Sequence, residues 1–379
     1  MVEQTSSPPV ETDNLHAEAK ASHSLTYWQL VRRRFIRNSY GMMGFIICIL
    51  IIFTALFAGF IAPYDAQSGN RKVLYSPPQL IKIHNSESGF QRPFVYGFTE
   101  EMDPNTFEIK FIPDPEKKAI IRFFVRGSEW SFLGIKSNIH LFGSDDGVRI
   151  YLLGSDNLGR DVLSRMIWGT RVSLLMGVLV VICALIVGSL VGMSAGFFGG
   201  LYDLIVQRIV EFFKAFPDLP LYLALTAILP RRADPIMIFI MFAGILFLLR
   251  WADLSREVRG KVLSMRSLDY VRAAEAVGAS NSRILIRHVA PNISSHLIVW
   301  STFQLPEVIL LESFLSFLGV GVQPPMVSWG VMLNQILDFQ SFAAAPWMMA
   351  PVGMIILTVL AFNACGDGLR DAMDPHSHG

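Results

Sequence analysis

Residues 172–200 read VSLLMGVLVVICALIVGSLVGMSAGFFGG, 29 consecutive positions without a charge. A helix rises about 1.5 Å per residue and a bilayer core is about 30 Å thick, so about 20 apolar residues suffice to cross it. The stretch is long enough for a tilted crossing plus a glycine-rich turn at Gly196–Gly200. Composition agrees. Of 379 residues, 52% are hydrophobic and 17% charged, against about 45–50% and about 25% in soluble domains. The fold class is therefore an integral membrane protein. A net charge of +1 argues against a nucleic-acid-binding surface.

Working outward, Gly41–Ala62 is 22 residues without a charge, ended by Pro63, and forms a first span. Leu219–Leu229 is too short alone, so the third span, after 172–200, must borrow from Leu201–Lys214, which carries Asp203, Arg208, Glu211 and Lys214. Ile236–Leu249, Ile293–Phe317 and Pro346–Cys365 supply the fourth, fifth and sixth. Arg32, Arg33, Arg34 and Arg37 flank the first span, which puts the N-terminus in the cytoplasm. Six crossings return the C-terminus to the same side. The loop Arg250–Ala290 then also falls inside, and it carries eight Lys/Arg against four Asp/Glu. Arg231-Arg232 is the local exception.

Residues 1–26 are polar and lack an apolar run, as in a disordered cytoplasmic leader rather than a signal peptide. Residues 27–63 are an amphipathic segment and the first helix. Residues 64–150 follow that span and fall outside. There, the strand-like runs Phe107–Phe111 and Ile120–Val125 flank the polar Pro113–Lys118, which predicts a hairpin and a small β-rich extracytoplasmic insert. Residues 151–379 are the membrane core, with the cytoplasmic loop at 250–291. Cys48, Cys183 and Cys365 sit in apolar stretches without metal-ligand spacing and read as small core hydrophobes.

The cytoplasmic loop carries the most information. Asp269 can cap an alanine-rich helix over Tyr270–Val277. Gly278 can end it, because glycine adopts the left-handed C-terminal conformation at least cost. Ser280 or Asn281 can cap a second helix, Ser282–Val289, which Pro291 terminates. Two short polar helices joined by a glycine make either a docking element or an ordinary solvated loop.

Asp269-Tyr270-Val271-Arg272-Ala273-Ala274-Glu275-Ala276-Val277-Gly278-Ala279-Ser280, with Arg287-His288-Val289-Ala290-Pro291-Asn292, resembles the EAA loop of binding-protein-dependent ABC importer permeases. Ala273, Ala274, Gly278 and Pro291 fall on the pattern, while Arg272, His288 and Ala290 depart from it as the oligopeptide/dipeptide branch tolerates. Leu153–Arg165, Leu315–Gly321 with Pro324-Pro325 and Ser328-Trp329-Gly330, and Gly366–Pro375 are similar to other signatures of that branch. The resemblance spans about 28–63 and 150–376; the 64–150 insert lies outside it.

The resemblance implies an all-α polytopic ABC importer permease fold (MetI-like) with six transmembrane helices, the second permease subunit of a peptide importer in a bacterial inner membrane. It implies a homologous second permease, two ATP-binding-cassette ATPases and an extracytoplasmic solute-binding protein as partners. It also implies a coupling surface for an ATPase made by Asp269, Tyr270, Arg272, Ala273, Ala274, Glu275, Gly278, Ala279 and Pro291. ATP and magnesium belong to the partner ATPases: this sequence has no phosphate loop, no G-x-S-x-G elbow and no H-E-x-x-H helix. No catalytic residue, cofactor or metal site is expected in the chain itself.

Charged groups within spans are candidate sites because burying them in lipid is costly. Glu307 and Glu312 in the fifth span, with Gln304, are candidates for the translocation path; interior hydrogen bonding is the other reading of the two acids. Five residues put the glutamates roughly 140° apart on a helix, so they do not form a carboxylate pair. Gln304 and Pro306 could break the helix locally. Other cargo, such as oligosaccharides, and a channel or membrane-embedded enzyme whose basic loop anchors to lipid, are the rival functions.

Overall fold

A computed structural model describes residues 26–374 except 86–88, 103, 105–108, 133, 145–146, 231, 338–341 and 344. The leader expected over 1–26 lies, apart from Thr26, outside the described residues, as does Arg231. The chain opens with the amphipathic helix α1 (Tyr27–Arg37), which buries Val31 and Phe35 and exposes Arg32, Arg33 and Arg34. The apolar α2 (Ser39–Leu56) follows, with the Asn38 side chain accepting from the Gly41 amide at 2.9 Å, and then the single turn α3 (Ala58–Ile61).

Among the described residues, five helices rather than six are long and apolar enough to cross a bilayer alone: Ser39–Leu56, Val162–Phe198, Pro235–Arg266, Asn281–Phe317 and Pro346–Met373. The expected third span is split into α5 (Gly200–Lys214) and α6 (Asp218–Ala227), following α4 (Val162–Phe198). Pro217 divides them, because proline has no amide hydrogen to continue the ladder and forces the residue before it out of the helical region.

Glycines set the central packing. Gly188, Gly192 and Gly196 recur every fourth residue on α4 and press against α7 (Pro235–Arg266). A Cβ on Gly188 would stand 2.8 Å from the Trp251 carbonyl, on Gly192 2.5 Å from that of Ser255, and on Gly196 2.8 Å from that of Arg259. Both numbers rise together, so α4 and α7 run parallel. The chain between them must come back, and α5–α6 does so antiparallel to α7: Asp203 meets Arg259, Lys214 meets Asp253 at 2.9 Å, and the Tyr222 hydroxyl donates to the Leu246 carbonyl at 3.3 Å.

The remaining helices complete two cores. α10 (Ala290–Phe317) crosses α4 antiparallel, with Gly177 against Ile309, and α12 (Ala350–Met373) packs on α2. At that second contact Gly41 faces Gly368 and Gly44 faces Ala361 and Cys365. The short α11 (Trp329–Asn334) plugs Trp329 between α4 and α10, fully buried. The helix α10 runs unbroken through Pro306, contrary to the expected local break.

Between α3 and α4 the described residues form five strands: β1 (Lys82–Asn85), β2 (Gly89–Met102), β3 (Ile109–Ile120), β4 (Arg122–Phe132) and β5 (Ile135–Gly143). They form an antiparallel sheet β1-β2-β3 and a separate ribbon β4-β5. The hairpin expected about Pro113–Lys118 does not form. β2 pairs Tyr96 with Lys118 and Gly97 with Asp114, so Pro115, Glu116 and Lys117 bulge out of one continuous strand. The Asp114 carboxylate closes the bulge, accepting from the Glu116 amide at 3.0 Å and the Thr99 hydroxyl at 2.7 Å. Those bonds, the Thr99 hydroxyl first, hold it below the usual carboxylate range. The chain therefore bulges without reversing. Phe107 and Glu108 of the expected first run lie outside the described residues. At the base, the Gln79 amide donates to the Tyr151 carbonyl at 2.9 Å and the Ser155 amide to that of Ser76 at 2.8 Å.

Gly192→Ile places side-chain atoms against the α7 backbone, and overpacking of this kind costs about 1–3 kcal/mol. A lowered melting temperature of the purified chain in detergent is the expected result, while Gly244→Ala, where a Cβ meets nothing within 4 Å, leaves it unchanged or slightly raised.

Candidate functional site

The loop after α7 forms α8 (Asp269–Ala276). Its N-cap is Leu268, with no side-chain bond, and Asp269 occupies the first helical turn rather than the capping position. There its charge faces the positive end of the helix dipole. Val271 and Ala274, three apart, are buried against the core, while Asp269, Tyr270, Arg272, Ala273 and Glu275 are exposed. Gly278, at φ +79°, reverses the chain; its amide donates to the Glu275 carbonyl at 2.9 Å, and that of Ala279 to Ala274 at 3.1 Å. Those two bonds are the Schellman pattern that satisfies a helix C-terminus. A Cβ on Gly278 would meet nothing within 4 Å, so the constraint there is the dihedral and not space.

The second helix differs from expectation. α9 (Asn281–Ile284), begun at Ser280 without a side-chain cap bond, passes into a π turn, Leu285–Val289, and directly into α10. Pro291 lies in the first turn of α10 and terminates nothing. The widened turn is placed where Pro291 cannot donate to the preceding turn, so the helix is re-registered instead of ended. Pro291 and Asn292 are exposed, and the Asn292 amide donates to the Tyr270 hydroxyl at 3.3 Å, tying α8 to the start of α10. Around α8, Val277 is 83% and Ile286 73% exposed. Small, charged and uncovered apolar groups are thus all exposed on this loop.

Gln304 and Glu307 are brought together by a cation from α7: Arg250 donates to Gln304 Oε1 at 3.2 Å and to Glu307 Oε2 at 2.7 Å. Glu312 lies apart and is wholly enclosed. It accepts from the hydroxyls of Ser173 at 3.0 Å, Ser313 at 3.3 Å and Ser316 at 2.8 Å. Ser173 in turn accepts from the Trp329 amide at 3.3 Å and Ser316 from the Val322 amide at 3.0 Å. One carboxylate therefore clamps α4, α10, α11 and the turn after α10, which is interior hydrogen bonding.

At the other end of α4 the segment before the helix folds on Asp156. It accepts from the amides of Leu158 and Arg160, each at 2.9 Å, from Arg160 Nε at 2.8 Å, and from Arg165. Asp161 caps α4 through the Ser164 amide at 2.8 Å and hydroxyl at 2.6 Å; burial pushes its carboxyl up to about 6 against those bonds. Of the charges in α5, Arg208 and Glu211 form an exposed pair at 2.7 Å, whereas the Asp203 side chain is largely enclosed and paired with Arg259.

The sequence reading missed the Arg250 clamp, the Asp203–Arg259 pair and the serine cage. Ser313 and Ser316, one and four residues beyond Glu312, were a legible hint of the cage on the helix; Ser173 was not, being 139 residues away.

Comparison with known proteins decides the family. The description "binding-protein-dependent transport system inner membrane component" matches residues 188–378, and "N-terminal TM domain of oligopeptide transport permease C" matches 26–78. The oligopeptide transport system permease protein OppC of Bacillus subtilis is 31% identical over 95% of this chain and 93% of its own. The chain belongs to the binding-protein-dependent permease family. A dipeptide transport system permease protein DppC of Alkalihalophilus pseudofirmus is 39% identical over 59% of this chain and 71% of its own. A glutathione transport system permease protein GsiD of Pectobacterium atrosepticum is 38% identical over 59% and 72%. Among solved structures, a chain of the MetNI methionine ABC transporter in inward-facing conformations has a TM-score of 0.45 and 16% identity over 55% of this chain and 97% of that one. That likeness is too distant to carry its fold over. The permease assignment is shared by the relatives and does not favour the channel or enzyme readings.

Glu312→Leu strands three buried hydroxyls, at a cost of about 1–3 kcal/mol for each group left unpaired. The expected result is a marked loss of thermal stability in detergent, with Glu312→Gln, which keeps a carbonyl acceptor, losing less than half as much.

Proposed function

We propose that this permease is one of two membrane subunits of an ATP-driven peptide importer. The observation that carries the reading is the half-exposed helix α8, anchored by Val271 and Ala274 and ended by a left-handed Gly278, within a chain whose relatives are peptide permeases. An ATPase subunit docks on Asp269, Tyr270, Arg272, Ala273, Glu275, Gly278 and Ala279, with Pro291 behind them, whereas Ala274, expected on that surface, is buried with Val271 as an anchor. The small residues allow close approach, and the two buried anchors pass a push into the core. Binding and hydrolysis of ATP with magnesium occur in two such partners. The path runs between this chain and a homologous permease, fed by an extracytoplasmic solute-binding protein.

In the same reading the protein crosses a bacterial inner membrane six times with both termini in the cytoplasm. The antiparallel return of α5–α6 along parallel α4 and α7 supports a sixth, proline-broken pass, and Arg32, Arg33 and Arg37 beside α2 support a cytoplasmic N-terminus. Gln304 and Glu307, reachable beside Arg250, are the polar groups offered to a path; the enclosed Glu312 positions the helices that form it. The strand-bearing segment 64–150 lies outside and meets the binding protein or covers the path.

Gly278→Val forces a β-branched residue into the left-handed region, at about 1–2 kcal/mol. Peptide uptake by the assembled transporter should fall severely at unchanged membrane level, with ATP hydrolysis no longer coupled to it; retained uptake would sink the coupling role. Replacing 82–143 with a short linker, possible because Gln79 and Tyr151 are hydrogen-bonded at the base, should reduce stimulation of ATP hydrolysis by the binding protein. Full stimulation would exclude that role for the strands.

A further inference from the structure

The apolar wall of α2 continues onto the β4–β5 ribbon without interruption. The Phe53 and Phe57 rings lie 4.6 Å apart, Phe57 and Phe132 5.8 Å, and Phe60 and Phe124 6.2 Å. Trp130 covers Gly59, where a Cβ would come within 2.9 Å of its side chain, and His140 Nδ1 donates to the Ala62 carbonyl at 2.6 Å. β4 therefore crosses the end of the helix obliquely, from Phe124 beside Phe60 to Phe132 beside Phe57, a step of only about 4.5 Å along the helix axis. The closed end of the ribbon is the end nearest the middle of the span.

The depth of that end is marked by Arg171 on α4. Its guanidinium donates to the carbonyls of Ala55 at 2.8 Å and Leu56 at 2.9 Å, where α2 ends, and lies 4.8 Å from the Trp168 ring and 5.9 Å from that of Phe132. An arginine and a tryptophan at a span's end are groups that settle at the membrane–water boundary. From Leu56 to Phe60 is about 6 Å of helix rise, comparable with the polar layer of about 5–8 Å outside the hydrocarbon. In that layer the ribbon leaves apolar groups uncovered: Phe123 is 69%, Phe124 67% and Ile135 69% exposed. Phe124 is held at φ +59°, a region that disfavours a bulky residue. Arg126 and Lys136 on the same two strands are exposed.

We propose that the β4–β5 ribbon is a membrane-contacting finger: Phe132 and Ile135 at its closed end, with Phe123 and Phe124 behind them, lie in the outer-leaflet interface beside α2, and Arg126 and Lys136 meet lipid phosphates. Its occupant is phospholipid, because the uncovered surface is continuous with the face α2 turns to the acyl chains and its cations match the charge of the phosphate layer. Rings with an apolar body suit this depth. The finger would hold the outer end of α2 at fixed depth while the other helices move. The inference rests on α2 being a span, as proposed above.

The test uses the assembled transporter in phospholipid nanodiscs, in a chain carrying Cys48→Ala, Cys183→Ala and Cys365→Ala. Single cysteines, Ile135→Cys or Phe123→Cys, carry an environment-sensitive fluorophore, with Phe53→Cys and the exposed Leu80→Cys as references. Lipid bearing a shallow doxyl quencher should reduce the signal at 135 and 123 as it does at 53, and aqueous iodide should reduce it far less than at 80. Iodide quenching equal to that at 80 overturns the finger, because the ribbon is then in water. Quenching by neither agent also overturns it, because another protein then covers the ribbon. A signal at 53 untouched by the lipid quencher would instead mean that α2 is not a span, a failure separable from that of the finger.

Discussion

The close parallel contact of α4 and α7 is the constraint on which the rest depends. Two apolar helices in lipid gain little from burying apolar surface, since acyl chains are as apolar as leucine; they associate through close packing. Glycines at 188, 192 and 196 let the α7 backbone approach to where a methyl group would collide. Because the two helices are parallel, the chain between them must return, and Pro217 is tolerated on that return because α5 and α6 each pack separately on α7. The basic end of α7 is thereby directed to the side where α8 sits.

Polar groups then hold the assembly at three levels. Asp156 gathers Arg160 and Arg165 at the start of α4, the Glu312 carboxylate collects the hydroxyls of one serine on α4 and two on α10, and Asp203 pairs with Arg259 near the other end. Each is an acid whose burial would be costly if unpartnered and which is instead surrounded by donors. The loop helix α8 differs in kind. It is fixed by two apolar anchors, a Schellman end and the Asn292–Tyr270 bond, and its polar side is exposed; that is the side proposed above to meet an ATPase.

The C-terminal end of α8 was the most legible part of the candidate site. Gly278 in the left-handed region follows from local chemistry, because the Cβ penalty acts within one residue. Asp269 and Pro291 were misjudged for the same local reason. A capping residue and a first-turn residue differ by one position, and a proline that would end an isolated helix can instead open the next turn of a continuous one when a π turn absorbs the missing donor. The bulge at Pro115–Lys117 has a similar cause: polar turn formers and prolines were present, but pairing with β2 on both sides kept the strand from reversing.

By itself, the sequence determined that the chain lives in a membrane, where its apolar runs lie, and that a glycine-ended helix stands in a basic loop; the helices themselves reach past those runs, α4 starting at Val162 rather than 172 and α7 ending at Arg266 rather than Leu249. Charge-free length and local backbone preference depend on neighbours in the chain, so they can be read from it. Tertiary structure decided that α4 and α7 are parallel, that Arg250 joins Gln304 to Glu307, and that Glu312 is caged. Each of these is a contact between residues tens or hundreds of positions apart, made when packing of small residues brings distant backbones together, and no local periodicity encodes it.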